Sequence, residues 1–128
     1  MILSELFKAL GDENRLRILN LLINEELCVC EVEMVLNMTQ SNVSRHLSKL
    51  KSMGLIASYK KAQWVYYEMD SNFINQYPLL YEFLQNESKK SKEYMKDIEI
   101  LSKYKKSSCT FVEFKESFIK DNEFYVSK

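Results

Sequence analysis

The chain is short of chain-breaking residues. Its 128 residues include only two glycines and one proline, which leaves little material for tight turns. That scarcity argues against a many-stranded sandwich or barrel and favours helices. No apolar run is long enough to cross a bilayer, and the N-terminus lacks a basic region followed by a cleavable apolar stretch. A cytoplasmic protein with no membrane partner is therefore expected. Histidine is nearly missing as well, His46 being the single copy, and there is no glycine-rich phosphate cradle. A thiol enzyme needs a base beside its nucleophile and a substrate loop, so no enzyme is expected.

The chain is well supplied with core-forming residues. Hydrophobic residues make up 46% of it, enough for one folded domain. Charge is balanced overall at 18 bases and 18 acids, but it is unevenly spread. Residues 1–33 hold seven acids and three bases, a balance of −4. From Met34 to Tyr67 no acid occurs, and Arg45, Lys49, Lys51, Lys60 and Lys61 give +5. A neutral protein that gathers its positive charge in one segment presents a basic face suited to nucleic acid. The plainer alternative is a solvated surface that happens to lack acids.

Apolar spacing predicts a helix from Ile2 to Leu10, stopped by Gly11, and a second one capped by Asp12 with Leu16, Leu19, Leu22 and Ile23 inward. A short third helix is expected from about Glu26 to Leu36. Thr39 can cap a fourth that ends at Gly54. The period then changes: Leu55 to Lys60 and Trp64 to Met69 read as a hairpin, with Lys60-Lys61-Ala62-Gln63 between them. Beyond Asp70 helix returns, with a long one starting near Pro78. Its positions Leu80, Leu84, Glu87, Ser91, Tyr94, Ile98 and Leu101 form a seam suited to packing along another helix, polar in its middle.

The segment Thr39-Gln-Ser-Asn-Val-Ser-Arg-His-Leu-Ser-Lys-Leu is the most specific one. Val43, Leu47 and Leu50 share one face; Ser41, Arg45, Ser48 and Ser52 lie opposite, flanked by Asn42, Ser44 and Lys49. Small polar groups let a helix approach base edges closely. Arginine can fork onto guanine, and Gln40 or Asn42 can pair with adenine. His46 is expected to contact phosphate or to form a hydrogen-bonded edge rather than to bind metal. Lys60, Lys61 and Gln63 at the hairpin tip would add salt-sensitive phosphate affinity.

A helix, a turn, a reading helix and a basic wing make a winged helix-turn-helix. At this point the chain resembles the ArsR/SmtB family of metal-responsive repressors. The matching stretches are Phe7-Lys-Ala-Leu-Gly-Asp-Glu-Asn-Arg-Leu-Arg-Ile-Leu, Glu26-Leu-Cys-Val-Cys-Glu, Gln40-Ser-Asn-Val-Ser-Arg-His-Leu and Leu50-Lys-Ser-Met-Gly-Leu-Ile. The resemblance implies a mainly α, dimeric fold with a small β-hairpin wing. Residues 1–104 would form the domain with its dimerisation helices, and residues 105–128 a C-terminal tail. It implies a homodimer joined through first and last helices, with Leu3, Leu6, Leu80 and Leu84 in the interface. The dimer would bind inverted-repeat operator DNA, its reading helices about one DNA turn apart. The family's paired-histidine zinc site between the last helices has no counterpart here.

Cys28 and Cys30 match the family's Cys-Val-Cys metalloid site on the third helix. No cofactor is required; the implied inducer is As(III) or Sb(III), which prefer soft thiolates. The arsenic sensors carry a third cysteine three residues further on, where this chain has Glu33. Cys109 is the candidate third ligand, from its own chain or the partner's, and a carboxylate from Glu33 or Glu31 would instead suit Cd(II), Pb(II) or Zn(II). Thiol oxidation is a further option, and buried apolar cysteines the plain one. Within an undistorted helix the two side chains would point about 200° apart, so a shared ion is expected to open the first turn.

Overall fold

The computed structural model describes residues 2–106, which form one layer of helices with a small sheet at its edge. The elements are α1 (Leu3–Leu10), α2 (Glu13–Asn24), β1 (Leu27–Cys28), α3 (Val29–Leu36), α4 (Gln40–Ser52), β2 (Ile56–Lys61), β3 (Trp64–Met69), α5 (Ser71–Gln76), α6 (Pro78–Ser88) and α7 (Lys92–Lys106). Cys109 and the rest of the expected tail from residue 107 lie outside the described residues. α7 itself runs two residues past the expected boundary at 104.

Local chemistry accounts for the starts and stops. Asp12 caps α2 by accepting from the Arg15 backbone N–H at 3.0 Å, and Thr39 caps α4 by accepting from that of Asn42 at 3.3 Å. Each such cap is worth about 1 kcal/mol. α3 ends at Asn37, whose φ of 54° is left-handed, and Gly54 closes α4 at φ 79°. The core collects Leu6, Ile18, Leu19, Leu21, Leu27, Val32, Val35, Val43, Leu47, Leu50, Leu55 and Ile56. Burying an aliphatic side chain of this size stabilises by roughly 1.5–3 kcal/mol.

Three expectations are corrected. The third helix begins at Val29, because Leu27 and Cys28 are extended and pair antiparallel with Tyr67 and Tyr66 of β3. The sheet order is β1-β3-β2, so the wing has three strands. Secondly, the long helix is two: α6 ends at Ser88, and the chain turns through Lys89-Lys90 before α7 starts at Lys92. The expected seam therefore cannot continue from Leu84 to Leu101. α7 folds back to pack on α2 and α3, burying Ile100 and Leu101. Its position is fixed by Asp97, only 2% exposed, which accepts from Arg17 Nε and Nη2, both at 2.9 Å.

Thirdly, Leu6 is 1% exposed, so it belongs to its own chain's core. Leu80 and Leu84 are half-buried, packed against that core. Leu3 does project, at 61% exposed, together with Ile2, Phe7, Leu79 and Phe83. Phe7, Leu80, Phe83 and Leu84 line one shared groove, so α1 and α6 present a joint apolar face. Among the described residues no helix is long and apolar enough to cross a membrane.

Candidate nucleic-acid interface and thiol site

The α4 helix is built as the sequence indicates. Val43, Leu47 and Leu50 are fully buried. The opposite side displays Gln40, Ser41, Asn42, Arg45, Ser48 and Lys49 to solvent, with Ser44 half-covered. Arg45 Nη2 donates to Asn42 Oδ1 at 2.9 Å, so two of the residues that could read bases hold each other in place. His46 departs from this set. It is 7% exposed and sits on the inner edge. Burial holds its imidazole below the usual histidine range; Asp12 works the other way, and Arg15 and Arg45 add to the lowering. His46 is thus largely covered, on the side of α4 where the charges of Asp12 and Arg15 act on it.

The wing supplies the second basic feature. β2 and β3 pair from Ile56↔Met69 to Lys61↔Trp64, so the turn is only Ala62-Gln63, shorter than the four-residue link expected. Ala62 takes a φ of 56°, the conformation a two-residue hairpin demands and one that an L-residue adopts at some cost. Lys60, Lys61 and Gln63 are all exposed at this tip. Successive strand residues point to opposite faces, so the two lysines reach out on either side of the ribbon.

Behind the wing lies the thiol site. Cys28, Cys30, Glu31, Trp64, Tyr66 and Tyr104 line one groove of about 220 Å³. The two thiols therefore share a groove without any helix opening. Cys28 is the extended residue preceding α3, with φ −88° and ψ 168°, and it stands outside the helical turn. The expectation of thiols held 200° apart fails because it assumed that both lie inside one helix. Cys28 instead forms the first half of a capping box: its sulfur faces the Glu31 backbone N–H, and Glu31 Oε1 accepts from the Cys28 N–H at 3.1 Å. A thiol replaces the usual hydroxyl there.

Electrostatics at the groove keep Cys28 protonated. Burial pushes its thiol up to about 11; the Glu31 backbone N–H opposes that shift and the Glu31 carboxylate adds to it. Glu31 is itself nearly covered, at 7% exposed. It meets Lys105 Nζ at 3.8 Å and the Tyr104 hydroxyl, whose pKa rises mainly through burial and then through that hydrogen bond. Glu31 thus lines the groove, and Glu33 is not among its lining residues. Among the described residues no three of His, Cys, Asp and Glu are placed together to hold a metal ion. Two sulfurs and one engaged carboxylate fit a thiophilic ion only incompletely. Sequence reading missed the aromatic walls, although the run Trp64-Val-Tyr-Tyr gave a signal for them.

Residues 12–58 match the family described as bacterial regulatory protein, arsR family. The arsenic resistance transcriptional regulator ArsR1 of Pseudomonas putida is 44% identical over 64 residues, 49% of this chain and 50% of that protein. The cadmium resistance transcriptional regulatory protein CadC of Listeria innocua is 43% identical over 65 residues, 50% of this chain and 55% of that one. The chain thus spans about half the length of the curated relatives it matches. Among solved structures, reduced HlyU from Vibrio cholerae is 36% identical with a TM-score of 0.56, covering 65% of this chain and 84% of that one. The homodimeric winged helix-turn-helix domain of Mb0332 from Mycobacterium bovis is 26% identical with a TM-score of 0.58, covering 70% and 80%. With its fold, its α4 face and these matches together, the chain belongs to the arsR family of winged helix-turn-helix regulatory proteins.

Proposed function

We propose that the protein is a transcriptional repressor that holds operator DNA as a homodimer and releases it when a thiophilic metal(loid) binds Cys28 and Cys30. The observation carrying this reading is the connection between the two sites. Cys28 is a rung of the ladder that continues into the wing, pairing with Tyr66, and it caps the helix that packs on α4.

On DNA, α4 enters the major groove. Arg45 and Asn42 read base edges, and Gln40, Ser41, Ser44 and Lys49 approach bases or phosphates. Lys60 and Lys61 hold neighbouring phosphates, and their affinity falls with salt. Two copies meet through the apolar face of α1 and α6, where Leu3, Phe7, Leu79 and Phe83 are exposed. Dimer geometry then fixes the spacing of the operator's half-sites.

An ion that takes Cys28 removes the sulfur from its cap and moves a residue paired to the wing. The loaded and DNA-bound arrangements therefore compete, and a difference of about 1–3 kcal/mol between them suffices for regulation. Arsenite and antimonite come first because the donors are sulfur and an arsenic-resistance regulator is 44% identical over 64 residues. Cd(II), Pb(II) or Zn(II) is the second reading, favoured by the Glu31 carboxylate in the groove.

The test is one titration. Arsenite, Cd(II) and Zn(II) are added to protein on operator DNA while thiolate charge-transfer absorbance and DNA release are followed together. The two signals should move in step, and the Cys28→Ser, Cys30→Ser double variant should stay bound to DNA. Release that survives the double substitution would overturn the sensor assignment.

A further inference from the structure

A cleft of about 1000 Å³ lies between α2, the end of α6 and α7. It shares no lining residue with the thiol groove, and only Asn20, Ile23 and Ser88 with the apolar groove of α1 and α6. Five lysines line it, Lys89, Lys92, Lys96, Lys103 and Lys106, against one acid, Glu99. Glu99 is already engaged by Lys103 at 3.5 Å. At the α6–α7 turn, Glu87 and Glu93 are drawn to Lys90 and Arg17. Positive charge therefore gathers at that turn, where Lys89 and Lys92 are exposed, and the start of α7 adds the positive end of its dipole.

The rest of the cleft is not simply charged. Ile23, Met95 and Ile98 give it an apolar stretch, and Met95 is 54% exposed there. A thioether makes favourable contacts with aromatic rings. Asn20, another lining residue, is 3% exposed. Its Nδ2 donates to the Tyr94 carbonyl at 3.4 Å, which sets it beside Met95 in the chain. Its Oδ1 has no hydrogen-bond partner among the described residues. A buried acceptor left unmatched is costly, and one beside a cleft invites a donor from outside the fold.

We propose that this cleft binds a nucleotide, with its phosphates at Lys89 and Lys92, its base against Met95, and an N–H of the base donated to Asn20 Oδ1. The three features select this class only when taken together. Inorganic phosphate would leave Met95 and Asn20 unused, and an apolar molecule would leave the lysines unmatched. Duplex DNA keeps its bases stacked within the helix and would offer the cleft phosphate alone. The volume lies at the upper end of the roughly 300–1000 Å³ usual for small-molecule sites. Asn20 belongs to α2, which packs on α4. A bound nucleotide therefore touches a neighbour of the DNA-reading helix by a route that does not use the thiols, and the proposal stands apart from the sensor reading.

The test uses the full chain without metal or DNA, at physiological salt, with ADP, adenosine and inorganic pyrophosphate as probes. Isothermal titration should show saturable binding of one ADP per chain. Adenosine and pyrophosphate should each bind at least about tenfold more weakly, since each keeps only part of the contacts. In NMR spectra of the wild type, ADP should shift the Asn20 side-chain amide and the Met95 methyl resonances. The Lys89→Glu, Lys92→Glu double variant, altered only at exposed positions, should lose at least about tenfold in ADP affinity. Pyrophosphate binding as tightly as ADP would mean that the lysines attract any polyanion, and would overturn the proposal. So would shifts confined to α4 and the wing, which would place ADP on the DNA-binding face. ADP affinity unchanged in the double variant, or no saturable binding at all, would overturn it as well.

Discussion

Cys28 of β1 and Tyr66 of β3 face each other across an antiparallel strand pair. One thiol is therefore part of the sheet that carries the basic wing, and the neighbouring register position is Leu27↔Tyr67. Displacing Cys28 acts on this ladder directly, with no need for a relay through the core. The consequences can be checked one at a time.

The α4 face should separate reading from holding. Arg45→Ala is expected to weaken operator binding by about 1–3 kcal/mol and to relax the base preference at one position. The Lys60→Ala, Lys61→Ala double variant should weaken binding to all sequences alike and lower the salt slope by roughly two. Binding isotherms at several salt concentrations, on operator and on scrambled DNA, distinguish the two patterns. An Arg45→Ala protein with unchanged sequence preference would count against α4 as the reader.

The two thiols should differ in reactivity. Cys28 is buried with its thiol pushed up to about 11, whereas Cys30 is half-exposed. Timed alkylation at neutral pH, followed by peptide mass mapping, should label Cys30 at least about tenfold faster, since only thiolate attacks. Equal rates would mean that Cys28 is not held in its cap.

His46 makes the stability of the fold respond to mild acid. Its folded-state pKa lies below the usual histidine value of 6.5, so on acidification the unfolded chain takes up the proton first. Stability is thus fully present above the unfolded value and falls as pH drops from there towards the folded value. A single imidazole resonance titrating below 6.5, with a matching loss of thermal stability, is expected. His46→Gln should remove that pH dependence.

Arg17 and Asp97 should matter more than any surface pair. Removing the arginine alone, as in Arg17→Ala, strands a carboxylate whose side chain is 3% exposed. The expected cost is about 3–5 kcal/mol by chemical denaturation. Arg17→Ala with Asp97→Asn should recover part of it. The exposed Lys90–Glu87 pair at 2.8 Å should cost less than about 1 kcal/mol when broken.

The parts that local chemistry controls were legible in the sequence. Asp12 and Thr39 cap the helices they were expected to cap, and Val43, Leu47 and Leu50 face inward as their spacing requires. The hairpin was visible from β-branched and aromatic residues. The parts set by distant partners were not legible. Leu27-Cys28 is a strand only because β3, nearly forty residues on, offers it a partner, so its helical neighbours suggested helix. The break after Ser88 has neither glycine nor proline to announce it; α7 turns back because Asp97, Ile100 and Leu101 find α2 and α3. The burial of Leu6 and His46 was not legible for the same reason, since it depends on other elements of the fold.

Arg15 donates from Nε to the Ala9 carbonyl at 2.7 Å and from Nη2 to the Lys8 carbonyl at 3.1 Å. These bonds clasp the end of the first helix to the second, so Ile2, Leu3 and Phe7 are carried on a preset shape. Two chains should then join as finished halves, with no ordering delay after they touch. Stopped-flow mixing of dilute monomers should show a single relaxation that speeds up with concentration, and Arg15→Ala should add a slow, concentration-independent phase.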